Sequence, residues 1–131
     1  MPNSSSNLRQ IVNNYFENLN KHDISKCLLL LHEDCFFSFT GAGTANGKAQ
    51  IQKFLVGTLW KQFPSLTLTV RVYTELLTNA AVEGVMQGRT STNKSFNDIG
   101  FMQVFDFVDK KIVRIAVYMD TPSIRAQIGR W

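Results

Sequence analysis

The spacing of apolar residues predicts helices in the first half of the chain. From Leu8 to Leu19 they recur every three or four residues, which places them on one face of an amphipathic helix. Asp23 is suited to begin a second helix, which ends near His32, because its carboxylate accepts N–H groups of the first turn. The same spacing predicts a third helix over about 48–62.

A period of two replaces the helical period in the second half. Leu66 and Leu68 begin an alternation of apolar and polar residues, and short polar turns separate the strands that it predicts. Gly84 and Gly88 interrupt one strand and predict bulges or bends that curve the sheet. The glycine-rich stretch 41–47 is predicted to be a loop. An earlier strand, four long strands and a tail helix are expected at about 35–40, 66–73, 81–92, 96–108, 112–120 and 122–128.

Helices segregated from antiparallel strands are typical of an α+β domain. The chain of 131 residues is predicted to contain a disordered start over 1–6 and a single domain over 7–131. A curved sheet with helices on its concave side encloses a cavity. The ten phenylalanines exceed what packing requires, so we expect some of them to line that cavity.

The composition excludes several functions. The net charge of +4 is spread along the chain, whereas nucleic-acid binders concentrate basic residues, so no nucleic-acid partner is expected. No signal peptide and no membrane-spanning run of about 18 apolar residues is visible, so we expect a cytoplasmic protein without a membrane partner. Cys27 and Cys35 lack zinc-ligand spacing and are predicted to be buried free thiols. His22 and His32 are predicted to be surface residues, and no metal or other cofactor is expected.

Six short motifs occur in order along nearly the whole chain. They are Tyr15 to Asp23, Leu31 to Phe37, Gly47 to Phe54, Trp60 to Leu66, Phe105 to Val113 and Tyr118 to Gly129. Together they resemble the motifs of the nuclear transport factor 2-like (NTF2-like) superfamily, and the fifth, for example, is similar to the family pattern F-x-F-x-D-G-K-I-V. This cone-shaped fold is shared with ketosteroid isomerase, and the resemblance is strongest to the SnoaL-like branch.

The resemblance implies a fold, an assembly and two classes of function. Three helices of the N-terminal half would pack on a strongly curved, mostly antiparallel sheet, and a homodimer would form through the outer sheet face. The first class is a cofactor-independent isomerase, cyclase or hydrolase acting on an apolar polycyclic, polyketide-like or terpenoid-like substrate. The second is a non-catalytic ligand-binding or scaffold protein of the same fold.

Three residues are candidates for catalysis, and the resemblance assigns all three. Tyr15 lies eight positions before Asp23, where the isomerases place a tyrosine that donates to the oxyanion. The alternative is a core tyrosine. Gln103 occupies the place of the second isomerase donor. Phe39 occupies the place of the isomerase base, and a phenyl ring cannot remove a proton, so steroid isomerisation is not expected.

Asp120, the third candidate, lies where SnoaL-like cyclases carry an acid/base aspartate. In an apolar pocket its pKa would be raised, and the carboxyl could exchange protons near neutrality. The alternative is that Asp120 caps the tail helix, because Asp-Thr-Pro is a favourable helix start. The two alternatives predict opposite environments for the carboxylate.

The strand that contains Gln103 is also predicted to form the wall of a pocket. A period of two places Gln103 on the same face as Phe101, Phe105 and Phe107, so its amide would orient a ligand among aromatic rings. The apolar small molecule expected there would contact Phe39, Trp60, Phe101, Phe105, Val117 and Met119.

Overall fold

The structure is a computed structural model that describes residues 4–129, with side chains from residue 7 onward. The helices are α1 (Ser4–Asn20), α2 (Ile24–Leu29), α3 (Gly47–Phe54), α4 (Trp60–Gln62) and α5 (Thr121–Ile128), and a π-helical turn (Leu55–Leu59) joins α3 to α4. The strands are β1 (Leu31–Phe39), β2 (Gly43–Asn46), β3 (Thr67–Glu75), β4 (Asn79–Arg89), β5 (Ser95–Val108) and β6 (Lys111–Met119).

All six strands form one sheet in the order β2-β1-β6-β5-β4-β3. Strands β1 and β6 are parallel, and every other neighbouring pair is antiparallel. Helices α1, α3 and α5 pack against strands β3, β1 and β5 respectively. The predicted α+β class and the mostly antiparallel sheet are therefore confirmed.

Several boundaries differ from the predicted ones. Helix α1 begins at Ser4, within the segment 1–6 that is predicted as a disordered start, and residues 1–3 lie outside the described residues. Helix α2 ends at Leu29, and His32 already belongs to β1. The predicted loop over 41–47 contains a short strand, β2, which pairs with the end of β1. The third predicted helix contains a π-helical turn.

Two side chains anchor the end of α1 to the rest of the fold. Asp23 caps α2 as predicted, since its carboxylate accepts the N–H of Lys26 at 3.2 Å. The Asn20 amide donates to the carbonyl oxygen of Leu68 at 2.9 Å and accepts the N–H of Leu68 at 2.8 Å. These two hydrogen bonds fix the register of β3 relative to α1.

The predicted bends occur at the glycines of β4. Gly84 faces β3 beside a bulge between Val70 and Val72, and the pairing of β4 with β5 shifts register before Gly88. The bulge inserts one extra residue into β3, so the strict alternation from Leu68 onward breaks there. Val72, which follows the bulge, is consequently exposed, whereas Leu68 is buried.

Cys27 and Cys35 are buried free thiols, as predicted. Burial disfavours the thiolate and raises the pKa of each to about 12, with Asp23 adding to the effect at Cys27. A thiol with such a pKa is a poor nucleophile at neutral pH, and both cysteines pack in the core.

Among residues 4–129, no cluster of His, Cys, Asp and Glu has a geometry that could hold a metal ion. No helix in this range is long and apolar enough to cross a membrane.

Candidate functional site

The concave face of the sheet presents aromatic side chains that follow one another along β5. Phe101, Gln103, Phe105 and Phe107 of β5 are all buried, which confirms that the four share the inner face. Val117 is the neighbour of Gln103 on β6. The row across the sheet runs from Gly43 of β2 to Tyr73 of β3 and includes Phe39, Val117, Gln103 and Val82.

Gln103 is the buried polar residue in this wall. It is 3% exposed, and its Oε1 atom accepts no hydrogen bond from any described residue. Along β5 its neighbours on the same face are Phe101 and Phe105, each about 7 Å away. A buried carbonyl oxygen without a donor costs about 1–3 kcal/mol. The amide therefore has the position that the sequence analysis predicts and an unused acceptor.

Tyr15 lies deeper in the interior than Gln103. Its ring packs edge-on against Phe16 at 5.6 Å and Phe105 at 5.7 Å between ring centroids. Burial raises the pKa of Tyr15 well above its usual value, and the neighbouring thiols Cys27 and Cys35 raise it further. The phenol therefore remains protonated at physiological pH in an environment that consists of aromatic rings and two thiols.

Asp120 adopts the helix-cap geometry of the two alternatives. Its carboxylate accepts the N–H of Ser123 at 3.2 Å and the hydroxyl of Ser123 at 2.6 Å at the start of α5. The side chain is exposed, and these hydrogen bonds lower its pKa, whereas an acid/base role in an apolar pocket requires a raised pKa. Asp120 thus lies outside the interior that contains Tyr15 and Gln103.

A small apolar cavity lies beneath α5, whose Ile124 belongs to its lining. The cavity has a volume of about 10 Å³, which is room for about one water molecule. Its lining consists of Phe39, Leu59, Phe63, Leu66, Met86, Phe96, Met119 and Ile124. The large aromatic pocket that the sequence analysis predicts is therefore mostly filled by its own side chains.

The six predicted ligand-contact residues divide between several places. Phe39 and Met119 line the apolar cavity. Phe101 also borders a shallow depression on the outer face, together with Met119. Phe105 and Val117 are buried and do not belong to the lining of the cavity.

Trp60, the sixth residue, packs at the junction of α1 and α2. Its indole stacks on His22 with ring centroids 4.5 Å apart and planes within 7°. The Nε2 atom of His22 lies 3.2 Å from the carbonyl oxygen of Leu66. The prediction that His22 is a surface residue is therefore wrong. His32 is also half-buried, and its Nδ1 atom accepts the N–H of Asp34 at 3.1 Å.

The sequence analysis missed a polar pocket beside the apolar cavity. It has a volume of about 220 Å³ and lies between α4, the β4–β5 turn and the end of α5. Phe63 belongs to the lining of both spaces. The polar turn 91–95 was visible in the sequence, but only the fold brings it beside α4. The lining consists of Gln62, Phe63, Thr90, Ser91, Thr92, Lys94 and Ile128.

This fold, with helices on the concave face of a six-stranded, mostly antiparallel sheet and an aromatic interior, defines an NTF2-like protein. The match to a family model is more specific. The model of the SnoaL-like domain matches residues 12–115, and the chain belongs to this family. A comparison with curated protein sequences finds no match.

Three solved structures are similar over nearly their whole length. TerC, co-crystallised with polyporic acid, is 19% identical over 95% of this chain and 99% of its own, with a TM-score of 0.83. A candidate SnoaL-like polyketide cyclase from Jannaschia sp. CCS1 is 14% identical over 96% and 94%, with a TM-score of 0.84. A protein of ketosteroid isomerase-like fold from Catenulispora acidiphila, in complex with trimethylamine, is 17% identical over 91% and 92%, with a TM-score of 0.82. At these identities the likeness concerns the fold.

Proposed function

We propose that the protein binds an apolar small molecule with a hydrogen-bond donor, and that Gln103 orients this ligand. The observation that carries the proposal is the buried Gln103 Oε1 atom, which has no donor among the described residues. Ligand sites commonly place one or two such polar groups among apolar side chains. A hydroxyl on the ligand would satisfy the acceptor and remove the cost of leaving it unpaired.

The interior has to open before such a ligand can enter. The apolar cavity has room for about one water, but Met86 and Met119 belong to its lining, and unbranched methionine side chains repack readily. Leu59, also in the lining, ends the π-helical turn, and such turns are frequent at functional sites. We expect the ligand to enter at this end and to reach Gln103 one row below Met119.

The class of ligand follows from the apolar lining and is supported by the similar structures. We expect an apolar polycyclic, polyketide-like or terpenoid-like molecule. TerC has been crystallised with polyporic acid, and the Catenulispora protein with trimethylamine. Both are small molecules, so binding of a small molecule is compatible with this fold.

A cofactor-independent isomerase, cyclase or hydrolase is the second proposed function. The similarity in fold to the candidate polyketide cyclase supports it. Tyr15 and Gln103 can supply hydrogen bonds to a substrate, but Asp120 is an exposed cap with a lowered pKa. The sequence analysis offers no other acid/base group, and we therefore favour binding without catalysis.

We also propose that the protein is a cytoplasmic homodimer. The two free thiols are compatible with a reducing compartment. The outer face of the sheet carries a row of side chains that consists of Val72, Glu83, Met102 and Tyr118. Three of the four are large and apolar or aromatic, and Val72 is 47%, Met102 38% and Tyr118 51% exposed. Exposed apolar patches of this kind are frequently interaction surfaces.

The proposed binding site can be tested by NMR on protein labelled with ¹³C at the methionine methyl groups. We expect 2-naphthol to shift the Met86 and Met119 signals, since both residues line the cavity, and to leave Met102 on the outer face unshifted. Gln103→Leu should lower the affinity for 2-naphthol about five- to tenfold, because the hydrogen bond from the naphthol hydroxyl to Gln103 is lost. The same substitution should raise the free energy of unfolding by about 1 kcal/mol, because an unpaired acceptor disappears.

The matched ligand is 2-methoxynaphthalene, which has the same rings and no donor. Its affinity should be the same for the wild type and for Gln103→Leu. If the ratio of the affinities for 2-naphthol and 2-methoxynaphthalene is the same in the wild type and in Gln103→Leu, Gln103 does not orient the ligand. If neither ligand shifts Met86 and Met119, the interior is not a binding site.

A further inference from the structure

The polar pocket and the apolar cavity share one wall, the side chain of Phe63. On the inner side Phe63 packs edge-on against Phe96, with ring centroids 5.5 Å apart, and borders the cavity. On the outer side it borders the pocket of about 220 Å³ at the β4–β5 turn. A rotation of this one ring would join the two spaces into a site with an apolar inner part and a polar mouth.

The mouth is held in place by hydrogen bonds of the β4–β5 turn. The hydroxyl of Thr90 accepts the N–H of Lys94 at 3.0 Å and lies 3.0 Å from the hydroxyl of Thr92. The backbone N–H of Ser91 donates to the carbonyl oxygen of Gln62 at 2.8 Å, which attaches the turn to α4. Three adjacent hydroxyls and one ammonium group therefore line a fixed concavity.

The residues that form this mouth carry more positive than negative charge. The segments 55–66, 86–97 and 121–129, which contribute the pocket and most of the cavity lining, contain Lys61, Arg89, Lys94 and Arg125, and the acidic residues next to them are Asp98 and Asp120. The ammonium group of Lys94 lies 3.4 Å from the carbonyl oxygen of Ile128 at the end of α5. Over the described part of the chain, the ion pairs within 4.0 Å involve Lys21, Lys26, Lys48 and Arg114. Lys94 forms none of these ion pairs, and its ammonium group has two further protons beside the one that it donates to Ile128.

We propose that the pocket at Lys94 is an anion subsite, and that the ligand of this protein is an amphipathic carboxylic acid. Its carboxylate is held by Lys94 and by the hydroxyls of the β4–β5 turn, and its apolar body extends past Phe63 into the cavity. The inference rests on the proposed function, because it extends the interior site to the surface. The carboxylate of the ligand would bind at Lys94 near the surface, whereas Gln103 would recognise a hydrogen-bond donor at the opposite, inner end of the ligand.

Binding of 2-naphthylacetate and of its neutral analogue 2-naphthylacetamide tests the subsite. The methionine methyl signals give a dissociation constant for each ligand. We expect the carboxylate to bind about fivefold tighter than the amide in ~50 mM salt, as for an exposed ion pair. The advantage should shrink in ~300 mM salt, because salt screens exposed charges. Lys94→Met should abolish it, while Lys61→Met, a change of an exposed lysine on the same end, should preserve it.

The affinities for the carboxylate and the amide are compared within each variant. Lys94→Met also removes the hydrogen bond to Ile128 and can loosen the end of α5, but this change affects both ligands and leaves the ratio of their affinities unchanged. Equal affinity of both ligands, with Met86 and Met119 shifted by both, overturns the anion subsite and leaves the interior site standing. The absence of those shifts with either ligand overturns both proposals. Inorganic phosphate is a further control, because it is an anion without an apolar body. We expect it to compete with neither ligand and to shift no backbone amide signal of residues 90–94. This result would show that an anion alone does not bind at the subsite. If phosphate binds there as tightly as the carboxylate, the site is for free anions and the amphipathic ligand is wrong.

Discussion

Asp120 shows how a single side chain is controlled by its local hydrogen bonds. Its position after β6 is compatible with a catalytic aspartate or a helix cap, and the residue type alone permits both. The N–H and the hydroxyl of Ser123 donate to the carboxylate and stabilise its charged form. The lowered pKa of Asp120 is therefore a consequence of the cap.

The cap predicts a pH dependence of stability. Because the pKa of Asp120 is lower in the folded state, its contribution is present above the unfolded pKa near 3.8 and is lost as the pH falls through the folded pKa. Asp120→Ala should lower the melting temperature at pH 7, and the difference from the wild type should shrink in acid. Thermal unfolding at neutral and at acidic pH measures both values.

Asp120→Asn is the matched control for this experiment. Asparagine caps helices about as well as aspartate but does not titrate. We expect it to retain most of the stability at pH 7, and its difference from Asp120→Ala should not depend on pH. Equal melting temperatures of Asp120→Ala and wild type at pH 7 would contradict the role of Asp120 as a cap.

The residue scale also shows which parts of the site the sequence predicts. Gln103 was placed correctly because its neighbours Phe101 and Phe105 fix the parity of β5. The environment of Tyr15 was not predictable, since the thiols that raise its pKa come from α2 and β1. The period of a strand predicts on which side of the sheet a side chain lies. The groups that the side chain contacts come from other elements, so the period does not predict them.

At the scale of elements, strand β4 depends on its glycines. A Cβ atom on Gly84 would lie well inside contact distance of the Thr69 carbonyl oxygen and 3.0 Å from the ring of Phe101. Strand β3 is bulged at this point, opposite Gly84. The close approach of the two backbones is therefore possible only without a side chain.

Gly84→Ala should consequently destabilise the fold. We expect a loss of about 1–3 kcal/mol in the free energy of unfolding, typical of an overpacked site. Gly100→Ala is the control, because a Cβ atom on Gly100 meets nothing within 4 Å. Its effect should stay within about 0.5 kcal/mol. Urea unfolding of both variants measures the difference, and similar stabilities would show that β3 yields without cost.

Elements with a strong period were predicted well, and elements defined by their partners were missed. The strands β4 to β6 follow from alternation and from the turns between them. Strand β2 has four residues, two exposed ends and no apolar period of its own, and it exists because β1 offers an unpaired edge. The bulge in β3 has the same origin, since it accommodates Gly84 of the neighbouring strand.

At the scale of the whole molecule, the outer sheet face predicts the oligomeric state. A homodimer of about twice 14.9 kDa is expected by light scattering, with Tyr118 near the centre of the interface. Tyr118→Glu should shift the protein to the monomer, because burying an unpaired charge at an apolar interface is costly. A monomeric wild type at all concentrations would contradict the proposal.

Leu77→Glu provides the control for the dimer. Leu77 is the most exposed of the large apolar residues in the described chain, and it lies in the turn between β3 and β4 rather than on the outer face. The substitution introduces the same charge at a different surface. We expect Leu77→Glu to remain dimeric, which would show that the position of the charge matters.

The sequence by itself determined the α+β class, the order of the main helices and strands, the family and the inward direction of Gln103. These properties depend on local periods and short motifs, which are written along the chain. Tertiary structure decided that Asp120 is an exposed cap, that Tyr15 meets two thiols, that the aromatic interior is nearly full, and that Lys94 lies beside Phe63. The physical reason is that burial, pKa and cavity volume depend on groups distant in sequence, which only the packing of helices on the curved sheet brings together.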